Sequence, residues 1–305
     1  MPYSNPDVLK HVENGKYYYV EHSDYDNTNV YGEVNQSDVQ SIIDSNKAII
    51  EYEYFYLKKW EIELNLEDFY ATVFEYEQKV KKLTSFEEIY NFSKEEIHVN
   101  INRKFISYIN SARIYIDHMD ARLKHKYGQN SIQYMKFESA KRYCYDTYFS
   151  YRFFNQLRNY AEHSDSPITQ IVLSGEPEKD GKLKKGSTSV YFEFDKKKLL
   201  EDAGIRKKLL VDMKRRNDFF PILPQVEEFK KPIKYLIDML LIIEKEYYLL
   251  NCKTIEDFYN SRKQGGAPEI TKFIFGPTKQ TLIYSSTNIR LDLVKKIDKE
   301  LSKLK

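Results

Sequence analysis

The sequence predicts a mainly α-helical fold in which two long antiparallel helices are followed by a small β-hairpin. Apolar residues at three- and four-residue spacing predict the first helix, from about Val99 to Tyr127. Residues 128–131 form a short connection to the second helix, at about 131–163, and so short a connection makes the helices antiparallel neighbours. Beyond Pro167 apolar residues alternate instead, which predicts the hairpin at about 168–195.

The segments before these helices are also predicted to be mostly helical. A short strand is expected at 15–20, and a long helix begins at Ser37 or Asp38 and runs to about Leu83. Residues 48–56 alternate as a strand would, but their helical flanks favour helix. A connector containing a short helix is expected at 85–93.

The second half of the chain alternates between strands and helices. Strands at 168–173 and 188–194 flank a loop rich in Gly and Lys, which predicts a hairpin with a long basic loop. The further expected elements are helices at 205–217, 226–251 and 288–304, a strand at 270–275, and a hinge-like loop at Gly265-Gly266.

The net charge of +2 conceals an asymmetry along the chain. Residues 1–98 carry 9 Lys, no Arg and 20 acidic residues, a net of −11, and the remainder therefore carries +13. We divide the chain into an acidic helical region (1–90), a helical core that contains the hairpin (91–260) and a C-terminal extension with a terminal helix (261–305). A basic body predicts a polyanionic partner, although two solvated surfaces of opposite sign would give the same count.

The composition indicates a soluble protein of a reduced, cytoplasmic compartment. Hydrophobic residues make up 41% and charged residues 31% of the chain. Cys144 and Cys252 lie far apart, with neither a CxxC pair nor a Cys/His cluster, so no disulfide framework or zinc site is expected. The first residues do not resemble a secretion signal, and the apolar stretch at 235–250 is interrupted by charges. We expect no cofactor, no metal and no membrane partner.

The most specific motif is Arg158-Asn159 followed by His163, at the end of the second long helix. Arg binds phosphate oxygens through a planar, permanently charged group, and His transfers protons near neutral pH. RNA supplies its own nucleophile, the 2′-OH, so an Arg and a His suffice in principle for cleavage without a metal. Positions i and i+5 of a regular helix are about 140° apart. The pair therefore requires a helix end before Pro167, a second subunit, or both.

The same residues also have a purely structural interpretation. Arg158 and Glu162 stand at i and i+4, the spacing of a routine surface ion pair. His163 at a helix C-terminus would be favoured by the partial negative charge there.

The string from Tyr151 to His163, followed by Pro167-Ile168, resembles the HEPN superfamily (higher eukaryotes and prokaryotes nucleotide-binding), over about residues 99–252. The matching features are Arg, a polar residue and His with this spacing on the second of two long helices, and they are most similar to the abortive-infection-like branch. The resemblance implies a helical bundle, frequent homodimers and metal-independent RNA cleavage in toxins, phage-defence effectors and RNA-processing enzymes. It further implies that Arg158 and His163 are the catalytic pair, assisted by Asn159.

One position departs from the pattern of HEPN toxins that are controlled by nucleotidyltransferase antitoxins. Those toxins often carry Tyr two places after the His, where this chain has Asp165. Control by modification of such a Tyr is therefore not expected.

Weaker RNA contacts are predicted at Lys182, Lys184 and Lys185 in the hairpin loop and at Arg122 on the first long helix. The expected partners are RNA, a second copy of the chain and an antitoxin or regulatory protein. The alternative function is a non-catalytic HEPN-like module that binds a nucleotide, a nucleic acid or a protein. A third, an antitoxin-like protein, would use the acidic region to neutralise a basic partner.

Overall fold

The computed structural model describes residues 16–22, 28–163, 166–201, 207–275 and 282–304. The side chains of residues 28, 163, 180, 273–275 and 282–285 lie outside this description. The helices are α1 (Gln36–Val80), α2 (Phe86–Asn91), α3 (Lys94–Tyr127), α4 (Ile132–Thr147), α5 (Phe149–His163), α6 (Lys196–Glu201), α7 (Lys207–Lys214), α8 (Ile222–Asn260) and α9 (Leu291–Leu301). The predicted mainly helical fold is confirmed.

The strands form two small antiparallel sheets. The strands are β1 (Tyr17–His22), β2 (Thr28–Val34), β3 (Gln170–Ser174), β4 (Ser189–Asp195), β5 (Phe219–Pro221), β6 (Ala267–Phe275) and β7 (Leu282–Asn288). One sheet has the order β2-β1-β6-β7 and the other β3-β4-β5. The predicted hairpin is the β3–β4 pair, with Val172 opposite Tyr191. Strands β2, β5 and β7 and helix α6 were not predicted from the sequence.

The chain divides into two compact units: unit 1 contains residues 1–56 and 244–305, and unit 2 contains residues 57–243. The segments predicted from the sequence were 1–90, 91–260 and 261–305, and their boundaries were set by changes in charge and by loops. The two units are instead defined by which residues contact one another. The difference arises because β1 pairs with β6, with Tyr19 opposite Ile270. This pairing joins the two ends of the sequence in unit 1.

Unit 1 contains a buried carboxylate near the end of its inner strand β1. Glu21 on β1 accepts hydrogen bonds from Gln264 N at 2.8 Å, Gly266 N at 2.6 Å and the Tyr19 hydroxyl at 2.5 Å. A Cβ on Gly266 would lie 2.8 Å from the Glu21 Cβ, so this close approach requires glycine. The predicted hinge-like loop at Gly265-Gly266 is thus held against β1.

In unit 2, the single helix predicted at 131–163 is divided at Tyr148 into two helices, α4 and α5. Tyr148 has extended backbone angles (φ −105°, ψ 121°). The groups freed by the break find new partners: Glu228 accepts from Ser150 N at 2.7 Å, and Arg152 donates to the Tyr145 carbonyl. The single-helix prediction was wrong because the apolar pattern continues through the break and does not report these tertiary hydrogen bonds.

The helix that carries the motif packs on the three-stranded sheet through an aromatic cluster. Phe153 and Phe154 of α5 are buried, and the rings of Phe153 and Phe194 on β4 lie 5.0 Å apart. Phe154 contacts Phe105 of α3 and Phe229 of α8 at ring distances of 5.1 and 4.8 Å. The hairpin therefore forms part of the core that supports α5.

The chain after α5 is fixed by a buried amide. Asn102 on α3 donates to the Ile168 carbonyl at 2.8 Å and accepts from Ile168 N at 2.9 Å. Both residues are buried, Ile168 fully. This pair of hydrogen bonds determines where the chain lies shortly after the end of the motif helix.

Candidate functional site

A polar groove lies in unit 2 between α3, α4 and α5, with a volume of about 390 Å³. We call it the Arg158 groove. Its lining residues are Arg113, Glu138, Lys141, Arg142, Tyr145, Asp146, Tyr151, Arg152, Asn155, Gln156, Arg158 and Asn159. Five of these are cationic and two are acidic. A groove with this excess of Arg and Lys has the chemistry of an anion site.

The amphipathic character of α5 explains how the groove receives its polar wall. The apolar face of α5, which includes Leu157 and Tyr160, is buried. The other face presents Asn155, Arg158 and Asn159 to the groove. Because the buried face is held by the aromatic cluster, the polar face is held in place as well.

Arg158 is partly buried and already has a carboxylate partner. Its Nη2 atom lies 2.9 Å from Glu162 Oε1, the ion pair expected from the i, i+4 spacing. Its side chain is 29% exposed, and its buried Nε atom has no hydrogen-bond partner among the described residues. An unsatisfied buried donor is costly, so an added anion that reached it would be favoured.

The other two predicted catalytic residues are described unequally. Asn159 is exposed and lines the groove beside Arg158. His163 is the last residue of α5, so the predicted helix end before Pro167 is present. The His163 side chain and Asp165 lie outside the described residues, and the Arg158–His163 pairing therefore stays a prediction.

Most of the remaining cations in the groove are neutralised by neighbouring carboxylates. Arg152 pairs with Asp212 at 2.8 Å, and Arg113 pairs with Asp117 at 2.9 Å. Arg142 is exposed and has no ion-pair partner in the part of the chain that the structure describes. Arg142 is therefore the cation that an incoming phosphate could bind at the lowest cost.

One wall of the groove contains a partly buried ionic cluster. Lys141 donates to Asp120 and Glu138. Burial alone lowers the pKa of Lys141, but the two carboxylates outweigh it and the pKa rises. Burial raises the pKa of Glu138, yet the hydrogen bond and positive charge of Lys141, together with the hydrogen bond from the Tyr134 hydroxyl, reverse the direction and the pKa falls. Both groups therefore keep their charge near neutral pH.

Tyr151 lines the groove but is poorly suited to proton transfer at neutral pH. Burial raises its pKa to about 12. Its hydroxyl therefore keeps its proton and can act only as a neutral hydrogen-bonding group.

The weaker predicted RNA contacts do not line the Arg158 groove. Lys184 pairs with Glu176 at 2.9 Å, and Lys182 and Lys185 are exposed in the hairpin loop. The loop itself is attached by Leu183 N, which donates to the Thr84 carbonyl at 2.8 Å. Arg122 lies elsewhere on α3, partly exposed. Lys182, Lys184, Lys185 and Arg122 thus belong to surfaces separate from this groove.

Sequence reasoning missed the contribution of α4. Its groove residues follow one another at spacings of three, one, three and one: Glu138, Lys141, Arg142, Tyr145 and Asp146. That pattern marks one polar face of a helix and could have been recognised. The sequence alone could not place this face of α4 in the same groove as Arg158, because that placement depends on the break between α4 and α5 at Tyr148.

Comparison with protein-family models, with curated proteins and with solved structures finds no match to this chain. Within the described ranges, none of the helices is both long enough and apolar enough to cross a membrane.

Proposed function

We propose that the protein has a HEPN-like helical core and is an endoribonuclease that cleaves RNA without a metal ion, as a toxin or phage-defence effector. One observation carries the proposal. Arg158 and Asn159 line the same cation-rich groove, within the last two turns of a helix that ends at His163. The groove also presents Arg142, a cation that needs no rearrangement to bind phosphate.

In the proposed reaction, the scissile phosphate binds Arg158 and the 2′-oxygen of the preceding ribose attacks phosphorus. His163 takes the 2′-OH proton as general base and, as an imidazolium, returns a proton to the departing 5′-oxygen as general acid, which completes the step. The Arg158 guanidinium stabilises the added negative charge, and Asn159 orients the phosphate or the imidazole. The products carry a 2′,3′-cyclic phosphate and a 5′-hydroxyl.

The Arg158–Glu162 ion pair favours a second candidate function. If Glu162 holds Arg158 permanently, the groove would retain anions through Arg142 alone and would not stabilise a transition state. The protein would then be a non-catalytic module that binds a nucleotide, a nucleic acid or a protein.

We further propose that the protein acts as a cytoplasmic homodimer, and that an antitoxin or regulatory protein controls it. Cytoplasmic placement agrees with Cys144 and Cys252, which are buried free thiols. Dimerisation is supported by an apolar surface on α4 and α8, where Ile132, Met135 and Tyr143 are 70%, 58% and 48% exposed.

The test uses purified protein, total RNA and EDTA. We expect Arg158→Ala and His163→Ala to lower the cleavage rate by about 10²- to 10⁴-fold, the usual contribution of such groups. Arg103→Ala removes an exposed arginine of α3 that does not line the groove and should leave the rate within about twofold of wild type.

Product chemistry and cell growth give independent readouts. A 2′,3′-cyclic phosphate end and loss of toxicity in both variants support the enzyme. Wild-type cleavage and toxicity in Arg158→Ala or His163→Ala would contradict it. RNA retention without cleavage by the wild-type protein would support the binding module instead.

A further inference from the structure

Helix α7 of unit 2 and the turn after it carry cations that are not neutralised by carboxylates. Residues 207–216 contain five basic residues and one acid, a net charge of +4. Lys207, Lys214 and Arg215 are exposed and have no ion-pair partner among the described residues. We call these three side chains the α7 ridge. An excess of unpaired cations on one short segment is typical of a surface that binds a polyanion.

Two ion pairs join α7 to the wall of the Arg158 groove. Arg152, which lines the groove, pairs with Asp212 of α7 at 2.8 Å. Asp146, which also lines the groove, pairs with Lys208 of α7. Because each of these α7 residues has a partner of opposite charge, neither belongs to the ridge. The two pairs nevertheless place α7 directly beside the groove.

The remaining faces of α7 divide between the core and solvent. Leu209 and Met213 are buried and share a small apolar crevice with α5. At about 100° per residue, Lys207 and Lys214 fall about 130° from that face and about 10 Å apart along the helix axis. The residue between them on this side, Val211, is uncharged and 51% exposed. No acid therefore interrupts the ridge on α7.

The turn that carries the last residue of the ridge is held in place by its neighbours. Arg215 N donates to the Asp212 carbonyl at 3.2 Å. The guanidinium of Arg216 lies 4.1 Å from the centre of the Phe149 ring, and Lys196 Nζ donates to the Arg216 carbonyl at 2.9 Å. The backbone of Arg215 is thus fixed one turn from a contact of the groove wall, which lowers the entropic cost of binding there.

The chemistry of this surface distinguishes among polyanions. A peripheral helix binds an anionic membrane by inserting its apolar face, but the apolar face of α7 is buried in the core. A mononucleotide carries its phosphates at a single point, whereas the ridge spreads its cations along about two turns of helix. A nucleic acid strand carries one phosphate per nucleotide, so a single strand can contact the groove and the ridge at once.

We therefore propose that the α7 ridge binds the backbone of an RNA strand that extends out of the Arg158 groove. One phosphate occupies the groove, and neighbouring phosphates of the same strand contact Lys207, Lys214 and Arg215. Because phosphate contacts carry no base information, the ridge determines the length of RNA that binds well and not its sequence. The inference rests on the proposed ribonuclease function, which is the reason for choosing RNA among nucleic acids.

The test measures binding separately from cleavage. The ligands are labelled 2′-O-methyl oligoribonucleotides of 2, 4, 8 and 12 nucleotides, which have no free 2′-OH and cannot undergo the proposed reaction. The full-length protein is titrated with each strand, and binding is followed by fluorescence anisotropy at several salt concentrations. We expect the affinity of the wild-type protein to rise with strand length.

The triple variant Lys207→Ala/Lys214→Ala/Arg215→Ala should weaken binding of the 12-nucleotide strand by at least about tenfold at low salt. The slope of log Kd against log salt concentration should fall by about 2, because three contacts of about 0.7 each are lost. The loss of affinity should be much smaller for the 2-nucleotide strand, which cannot reach from the groove to the ridge.

The matched control is Lys94→Ala/Arg103→Ala/Lys231→Ala. It also removes two lysines and one arginine, all exposed and without an ion-pair partner among the described residues, and none of them lies on α7 or lines the groove. We expect it to bind every strand within about twofold of wild type. Circular dichroism checks that both triple variants keep the wild-type fold.

Several results would overturn the proposal. One is equal weakening by the two triple variants, and another is a loss that does not depend on strand length. Tighter binding of polyglutamate than of the 12-nucleotide strand, abolished by the ridge variant, would assign the ridge to an acidic protein.

Cleavage of unmodified RNA by the wild-type protein separates the two proposals. Cleavage without any effect of the ridge variant on binding would overturn the ridge alone. Ridge-dependent binding without cleavage would support the ridge and contradict the ribonuclease.

Discussion

At the residue scale, a carboxylate competes with phosphate for Arg158. Arg158 contacts Glu162 at 2.9 Å, so an incoming phosphate must replace or share this contact. An exposed i, i+4 pair is worth about 0.3–0.5 kcal/mol, whereas a charged phosphate contact is worth more. The ion pair therefore lowers the affinity of Arg158 for phosphate without preventing binding.

We expect Glu162→Gln to tighten RNA binding by about two- to fivefold, because it frees Arg158 and removes a negative charge beside the groove. Fluorescence anisotropy with a labelled oligoribonucleotide at fixed salt measures the change. In an Arg158→Ala background the same substitution should give a much smaller gain.

The control for net charge is Glu87→Gln on α2, which removes one exposed carboxylate away from the groove. Equal tightening by Glu87→Gln and Glu162→Gln would mean that overall charge, not the ion pair with Arg158, determines the affinity.

At the element scale, α5 connects the core to the groove and is held at both ends. Glu228 accepts from Ser150 N near its start, and Asn102 binds Ile168 shortly after its end. Neither contact has a local sequence pattern, because both join residues that lie far apart in the chain.

We expect Asn102→Leu to lower the free energy of unfolding by about 2–4 kcal/mol, because it leaves the buried N–H and carbonyl of Ile168 without partners. Urea denaturation followed by circular dichroism measures the loss. Asn91→Leu, at an exposed position, should change stability by less than about 0.5 kcal/mol. A loss below about 1 kcal/mol for Asn102→Leu would show that water replaces the amide at little cost.

The elements that could be predicted from sequence are those with strong periodicity. The long helices α1, α3 and α8 and the β3–β4 hairpin have repeating apolar patterns that local physics determines. The break at Tyr148 and the pairing of β1 with β6 depend on contacts between distant residues, which periodicity does not encode. For the site, Arg158 and Asn159 were predicted, whereas Arg142 on α4 was not because its placement depends on packing.

At the scale of the whole molecule, the apolar surface on α4 and α8 bears on oligomeric state. In unit 2 it contains Ile132, Met135, Tyr143 and Tyr235, all at least 36% exposed. Lys136 stands within it, so the surface is not uniformly apolar. Such a surface could be covered by the same surface of a second copy, related by a two-fold axis.

We expect sedimentation equilibrium to show a species of twice the 36.5 kDa chain mass, with Met135→Glu shifting it to monomer. A charge at the centre of the surface cannot be buried without a partner, so the shift should be complete at micromolar concentrations. Tyr90→Glu, at an 88% exposed aromatic on α2, is the control and should leave the dimer intact. A monomeric wild-type protein would contradict the homodimer proposal.

The position of β1 between β2 and β6 has a consequence for synthesis of the chain. Unit 2 is continuous in sequence, so all of its residues have been translated once Ile243 is added. The sheet of unit 1 cannot form at that point, because β6, the strand beside β1, begins only at Ala267. At about 5–20 residues per second, translation from Ile243 to the end of β6 at Phe275, about 32 residues, takes roughly 2–6 s. During that interval β1 has an unpaired edge, so a ribosome stalled there exposes a strand that β6 would otherwise cover.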